Sequence, residues 1–306
     1  MRVKRDLLSL INYTPDEIFA LLARAIEFKQ GYPQRKEPHI LAGKNVALIF
    51  NKPSTRTRLS FEAAVYQLGG HPIYLTAGDL QLGRGETIED TGKVLSRYVE
   101  AVVIRTFDHA DVQTLAAAAD VPVINALTDA HHPCQALADL MTILEMKGRL
   151  AGIKVAYVGD GNNVCHSLMI GAAKTGIHFA AACPPGYEPD PGIAAAARAV
   201  AKAGAIEFVD DPRAAAQGAD ILYTDVWTSM GQEEEEAARR RAFAGFRIDA
   251  ALLALAKPDA LVMHCLPAHR GEEIAADVID GPQSIVFDQA ENRLHAQKAL
   301  LAWLLG

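Results

Sequence analysis

Short apolar runs alternate with amphipathic or alanine-rich stretches along the whole chain, and this alternation limits the fold more than any other feature. The runs fall at 45–50, 72–75, 101–105, 121–125, 153–158, 178–182, 205–209, 221–225, 260–264 and 284–287, mostly with helical patterns between them. Each has the length of a buried strand. A strand, a helix and another strand in succession imply parallel pairing with helices over both faces of the sheet. The fold class is therefore α/β. The rhythm restarts near residue 152, where Lys154–Val158 reads as the first strand of a second sheet. With 306 residues, half of them hydrophobic, the chain can fill two cores. The boundary is expected at about 148–152, after a long helix over 133–147 that ends at Gly148 and bridges the halves. Residues 1–148 and 149–306 are thus two domains, each a mostly parallel sheet flanked by helices. The amphipathic C-terminal helix, about 290–306, can pack back on the first domain.

In open α/β sheets ligands sit beyond the carboxyl ends of the strands. Those ends carry distinctive residues here: Phe50, Arg105, Asn125, Gly159, Asp225 and Cys265. After the first comes Ser54-Thr55-Arg56-Thr57-Arg58, which opens a helical pattern over 59–68. Hydroxyls, two guanidiniums and unpaired backbone N–H groups gather at this helix start, which suits a dianion. Arginine adds bidentate, charge-assisted bonds to phosphate or carboxylate. A plain N-cap would explain the serine. It would not explain two arginines at the positive end of a helix dipole, which a bound anion would offset. The run predicts a small phosphorylated ligand.

Other strand ends add polar groups. Arg105 at a strand end needs an anion or carbonyl partners if buried. His131-His132-Pro133-Cys134-Gln135 precedes the long helix; His132 is a candidate donor to a carbonyl oxygen and Gln135 offers an amide. Val158-Gly159-Asp160-Gly161-Asn162-Asn163 lacks the third glycine of a dinucleotide turn, and no acid ends the next strand, so a nicotinamide cofactor is not expected. Asn162 and Asn163 can cap the helix or hold a carboxylate. Asp225 in Asp225-Val226-Trp227-Thr228-Ser229-Met230-Gly231 is placed to pair with an ammonium, and His264-Cys265-Leu266-Pro267 ends another strand. Glu233–Glu236 followed by Arg239-Arg240-Arg241 reads as a surface helix matched to its dipole, without chemistry.

The charge balance, 30 basic against 37 acidic residues for a formal −7, argues against a nucleic-acid binder. Cys134, Cys165, Cys183 and Cys265 are too scattered for a zinc site or a disulfide framework. The start, Met-Arg-Val-Lys-Arg-Asp, has no signal-peptide core, and no apolar run spans a bilayer. A cytoplasmic chain with no membrane partner is expected.

Ser-Thr-Arg-Thr-Arg, His-Pro-x-Gln, Asp-x-x-x-Ser-Met-Gly and His-Cys-Leu-Pro, in this order along essentially the whole chain, resemble the aspartate/ornithine carbamoyltransferases. The first two motifs mark the superfamily, and the last two point to its ornithine-specific branch. The resemblance implies a carbamoyl-phosphate domain, an ornithine domain and a homotrimer, or a multiple of trimers, with shared active sites. It assigns Ser54, Thr55, Arg56 and Thr57 to the phosphate. Arg105, His132 and Gln135, with the adjoining Pro133 and Cys134, go to the carbamoyl group. Asn163, Asp225, Ser229 and Met230 go to ornithine. Cys265, Leu266 and Arg293 finish the pocket, and Gln81 reaches a neighbouring subunit's site. Arg105, His132, Gln135 and Cys265 are the catalytic candidates, while Arg58, two residues along the helix from Arg56, is expected to be a structural ion-pair partner.

The reaction so implied joins carbamoyl phosphate and the δ-amine of L-ornithine to give L-citrulline and phosphate, by direct attack and without metal, cofactor or covalent intermediate. The nearest alternative is another acceptor. Aspartate would call for cations in the second domain, putrescine would leave Asn163 without a carboxylate, and an acylated ornithine would offer Asp225 no cationic amine. A non-catalytic sensor would be expected to lack the reacting-group residues that this chain has.

Overall fold

The computed structural model describes residues 4–34, 38–76, 78–80, 85–201 and 206–306. By their internal packing these divide into two units, one holding the chain up to Met141 together with Glu291–Gly306, the other Thr142–Ala290. This division falls inside the long helix.

The first unit has four parallel strands, β1 (Asn45–Phe50), β2 (His71–Thr76), β3 (Ala101–Arg105) and β4 (Val123–Leu127), in the order β2-β1-β3-β4. Strands β1 and β3 are buried almost throughout, as a sheet covered on both faces requires. β4 begins later than its apolar run because Pro122 has no N–H for the ladder, although its carbonyl still accepts from Val102. Helices α1 (Pro15–Gly31), α2 (Thr55–Gln67), α3 (Ile88–Leu95), α4 (His109–Ala118) and α5 (Pro133–Lys147) connect and flank the strands. Thr14 and Glu17 form a reciprocal capping box on α1. Ser54 caps α2, its Oγ accepting from the Thr57 N–H at 3.2 Å.

The second unit has five parallel strands, β5 (Lys154–Val158), β6 (His178–Ala182), β7 (Ile206–Val209), β8 (Ile221–Thr224) and β9 (Leu261–His264), in the order β7-β6-β5-β8-β9. The helices are α6 (Asn163–Thr175), α7 (Pro191–Val200), α8 (Pro212–Ala216), α9 (Glu236–Ala242), α10 (Ala250–Leu253) and α11 (Ala276–Ile279). Every residue of α6 from Val164 to Ala173 is buried, so this helix has no solvent stripe. The strand expected at 284–287 does not form. Ser284 makes one isolated bridge to Val262, and Val286 already begins the last helix, α12 (Val286–Leu305), whose first bond runs from the Gln289 N–H to the Ile285 carbonyl. Residues 291–306 of this segment belong to the first unit, to which Lys44, Lys298 and Lys29 tie it through Leu305, Gln67 and Asn292. Among the described residues no helix is long and apolar enough to cross a membrane.

Candidate functional site

Strand β1 lies between β2 and β3, so the chain reverses its direction of sheet growth between β1 and β3. Their carboxyl ends, Phe50 and Arg105, are register partners at this switch point, where a crevice for ligands opens. The Ser54–Thr57 run follows β1 after three residues, Asn51 to Pro53. Ser54 and Arg56 are half-buried, Thr55 is exposed and Thr57 is buried. At the end of β4, a turn closed by Thr128 and His131 leads to His132 and the start of α5, where Pro133 loses no helical hydrogen bond.

Helix α12 supplies the piece that joins these loops. The Arg293 guanidinium is buried and donates through Nη2 to Thr57 Oγ1 at 2.7 Å, and through Nη1 to His132 Nε2 at 3.3 Å and to Gln135 Oε1. Because His132 Nε2 accepts, the neutral ring carries its proton on Nδ1. Burial holds this imidazole well below the usual histidine range, and the charges of Arg293, Arg105 and Arg56 push the same way. A neutral imidazole thus sits among three guanidiniums. Gln135 is fixed at both ends of its amide, since Nε2 donates to buried Asp139 Oδ1 at 2.8 Å. The Cys134 thiol is bonded to the Asn125 carbonyl at 3.4 Å and is pushed up to about 12 by burial, so its side chain serves the fold. Arg58 stands apart from this cluster, exposed and paired with Glu62 at 3.0 Å over the Tyr74 ring. Gln81 lies outside the described residues.

The second unit has its own switch point, between β5 and β8. Asn162, not Asn163, caps α6, its Oδ1 accepting from the Val164 and Cys165 N–H groups at 3.0 and 3.2 Å. Its Nδ2 donates to Asp225 Oδ2 at 2.8 Å. Asp225 Oδ1 accepts from the Val226 N–H at 2.8 Å and from the Cys265 thiol at 2.9 Å. Three donors therefore fix one buried carboxylate at the crevice. Asn163, next to Asn162 in sequence, is half-buried, Ser229 is bonded through its N–H to Gln232 Oε1, and Met230 is exposed. Leu266 adopts φ 58, and its N–H donates to His264 Nδ1 at 2.9 Å.

Gly161 owes its place to packing. A Cβ there would lie 2.3 Å from the Pro189 nitrogen and 2.4 Å from the Glu188 carbonyl carbon. The space that a dinucleotide turn keeps for pyrophosphate is filled by the protein's own main chain. Arg239 is not on the solvent face expected of its charged run. That residue is buried, donating to Asp160 Oδ2 at 2.9 Å and to the Trp227 carbonyl at 3.0 Å, so α9 anchors the segment after β8. Burial raises the Asp160 carboxyl to about 6 even though Arg239 pulls it down.

Three supporting residues escaped the sequence reading. Asp139 stands four residues after Gln135, a helical spacing that could have exposed it. Arg239 was hidden in a charged run. Glu273, bonded to His264, carries no local signal at all.

Two family models match the chain. The carbamoyl-P binding domain of aspartate/ornithine carbamoyltransferase matches residues 5–145, and the Asp/Orn binding domain of the same family matches residues 151–304. An ornithine carbamoyltransferase of Acidothermus cellulolyticus is 59% identical over 304 residues, covering 98% of this chain and 96% of that protein. An anabolic ornithine carbamoyltransferase of Pyrococcus furiosus is 57% identical over 304 residues, covering 99% and 96%. Among solved structures, ornithine carbamoyltransferase from Pyrococcus furiosus superposes with a TM-score of 0.96 at 56% identity, covering 99% of this chain and 98% of that one. The enzyme from Thermus thermophilus gives 0.90 at 46% identity, covering 99% and 100%.

Proposed function

Because the chain belongs to the aspartate/ornithine carbamoyltransferase family, we infer that it transfers the carbamoyl group of carbamoyl phosphate to the δ-amine of L-ornithine, giving L-citrulline and phosphate. The observation that carries this reading is the buried neutral imidazole of His132 among Arg56, Arg105 and Arg293, at the switch point of the first sheet. Three cations and the start of α2 suit a dianionic phosphate. The neutral ring can donate its one N–H to a carbonyl oxygen.

In this account Ser54, Thr55, Arg56 and Thr57 hold the phosphate, and Arg105, His132 and Gln135 hold the carbamoyl group. Pro133 and Cys134 shape that site through the main chain, and Arg293 locks its parts together. Asn163, Asp225, Ser229 and Met230 hold the α-amino and α-carboxylate groups of ornithine, with Cys265 and Leu266 next to them. The lone pair of the neutral δ-amine attacks the carbamoyl carbon. The C–N bond forms, the C–O bond to phosphate breaks, and phosphate takes the amine proton as it leaves. Donors around the carbonyl oxygen stabilise its developing charge, and much of the rate comes from aligning two bound substrates. We also propose a trimer, with Gln81 given to a neighbouring subunit, working in the cytoplasm. The exposed Leu59 and Tyr66, two turns apart on α2, give an apolar face that supports association.

Purified protein supplied with carbamoyl phosphate and a panel of amines tests the reading. Citrulline from ornithine is the expected product. Turnover of aspartate, putrescine or an acylated ornithine without citrulline would overturn the choice of acceptor.

A further inference from the structure

Leucine rarely adopts φ 58, because its Cβ crowds the following carbonyl. Such a residue persists only where its surroundings over-determine it. Here the constraint is a chain of hydrogen bonds through two fully buried side chains. Glu273 Oε1 accepts from His264 Nε2 at 3.1 Å and from the His269 N–H at 2.6 Å. The other ring nitrogen, Nδ1, accepts from the Leu266 N–H. An imidazole that accepts at Nδ1 and faces a carboxylate at Nε2 has one consistent neutral form, with its proton on Nε2. The His264 main chain is pinned as well, its N–H donating to Gln289 Oε1 at 2.9 Å, while Gln289 Nε2 reaches the Tyr223 hydroxyl at 3.1 Å. Between His264 and Leu266 lies Cys265, whose thiol is on Asp225.

We propose that Glu273 and His264 are positioning residues for the acceptor amine. The carboxylate fixes the imidazole tautomer, the imidazole holds Leu266 in its left-handed conformation, and that conformation keeps the Cys265 thiol on Asp225. The proposal rests on the reading of Asp225 as an ornithine ligand. Neither residue touches substrate in this scheme, so they act on ornithine affinity and leave carbamoyl-phosphate affinity alone.

Two measurements on the full chain test it. Nitrogen spectra of histidine-labelled protein, with His264 assigned by its loss in His264→Asn, should show Nε2 protonated and Nδ1 bare. In kinetics, Glu273→Leu should raise the ornithine KM about tenfold, equivalent to about 1.4 kcal/mol, without moving the carbamoyl-phosphate KM. Glu273→Gln keeps an acceptor oxygen and should stay near wild type. His264→Asn keeps an acceptor near the Leu266 N–H and should do less harm than His264→Leu. If Glu273→Leu does not fold, the His264 pair and the spectrum decide. A proton on Nδ1, an unchanged ornithine KM in the leucine variants, or equal rises in both KM values would overturn the proposal. Wild-type protein that makes no citrulline, yet shows the Nε2–H tautomer, would sink the assigned activity and leave the hydrogen-bond chain standing.

Discussion

Replacing His132 by asparagine should flatten the acid side of the stability curve. In the folded chain burial, then Arg293, Arg105 and Arg56, hold this imidazole well below its ordinary value of 6.5. In the unfolded chain it returns to about 6.5. Below that pH the unfolded state binds a proton that the folded state refuses, so stability contributed at this position is present above pH 6.5 and is lost as the pH falls. If the folded ring stays neutral throughout, the wild type should lose about 1.4 kcal/mol more than His132→Asn between pH 7.5 and 5.5. His109 and His295, also lowered by burial, are common to both proteins and cancel in the comparison. Asparagine still offers Arg293 an oxygen. The chain has two tryptophans. In a Trp227→Phe background, Trp303 on α12 reports urea unfolding of the first unit, with equal slopes as the check on two-state behaviour. Parallel pH curves for the two proteins would refute the reasoning, because they would mean that His132 titrates alike in both states.

Further outcomes follow from the same geometry. Arg56→Ala should abolish carbamoyl-phosphate binding while Asp225→Ala mainly weakens ornithine, as titration calorimetry with each ligand would read; equal effects on both would contradict the division of labour. Arg239→Met leaves the Asp160 carboxylate buried without its partner, at a cost of about 3–5 kcal/mol, and adding Asp160→Asn should restore most of it in thermal melts. Gly161→Ala must push the Glu188–Pro189 main chain aside, so the melting temperature should fall by an amount equivalent to about 1–3 kcal/mol; an unchanged value would show that the turn is loose.

The sheets were legible because a strand buried on both faces must be apolar along its length, and nine of the ten runs are strands. The tenth, 284–287, had the same composition, and composition does not separate a buried strand from the first turn of a buried helix. The Ser54–Arg58 run was legible as a candidate anion site because its chemistry is local: a cap, a helix start and arginines within five residues. What held these groups was not local. Asp139 behind Gln135 hides one turn along a buried helix. Arg239 looks like its exposed neighbours Arg240 and Arg241, and only the fold puts Asp160 opposite it. The two asparagines of the second turn read alike, and backbone geometry alone made Asn162 the cap.

The first unit is discontinuous in the chain, and its cluster is closed by Arg293, a residue that follows the whole of the second unit. Nascent chains leave the ribosome N-terminus first and fold domain by domain. Here the first sheet emerges early but must wait, with Thr57, His132 and Gln135 lacking their shared donor, until the second unit has been made. The second unit, begun later, is complete while α12 is still being synthesised. Order of birth and order of completion are reversed, so a ribosome that stops between residues 290 and 293 releases a chain with its second unit made and its arginine lock missing. Such a fragment would display the Ser54–Thr57 loop without the guanidinium that holds it together, which makes the last helix a marker of a completed first unit.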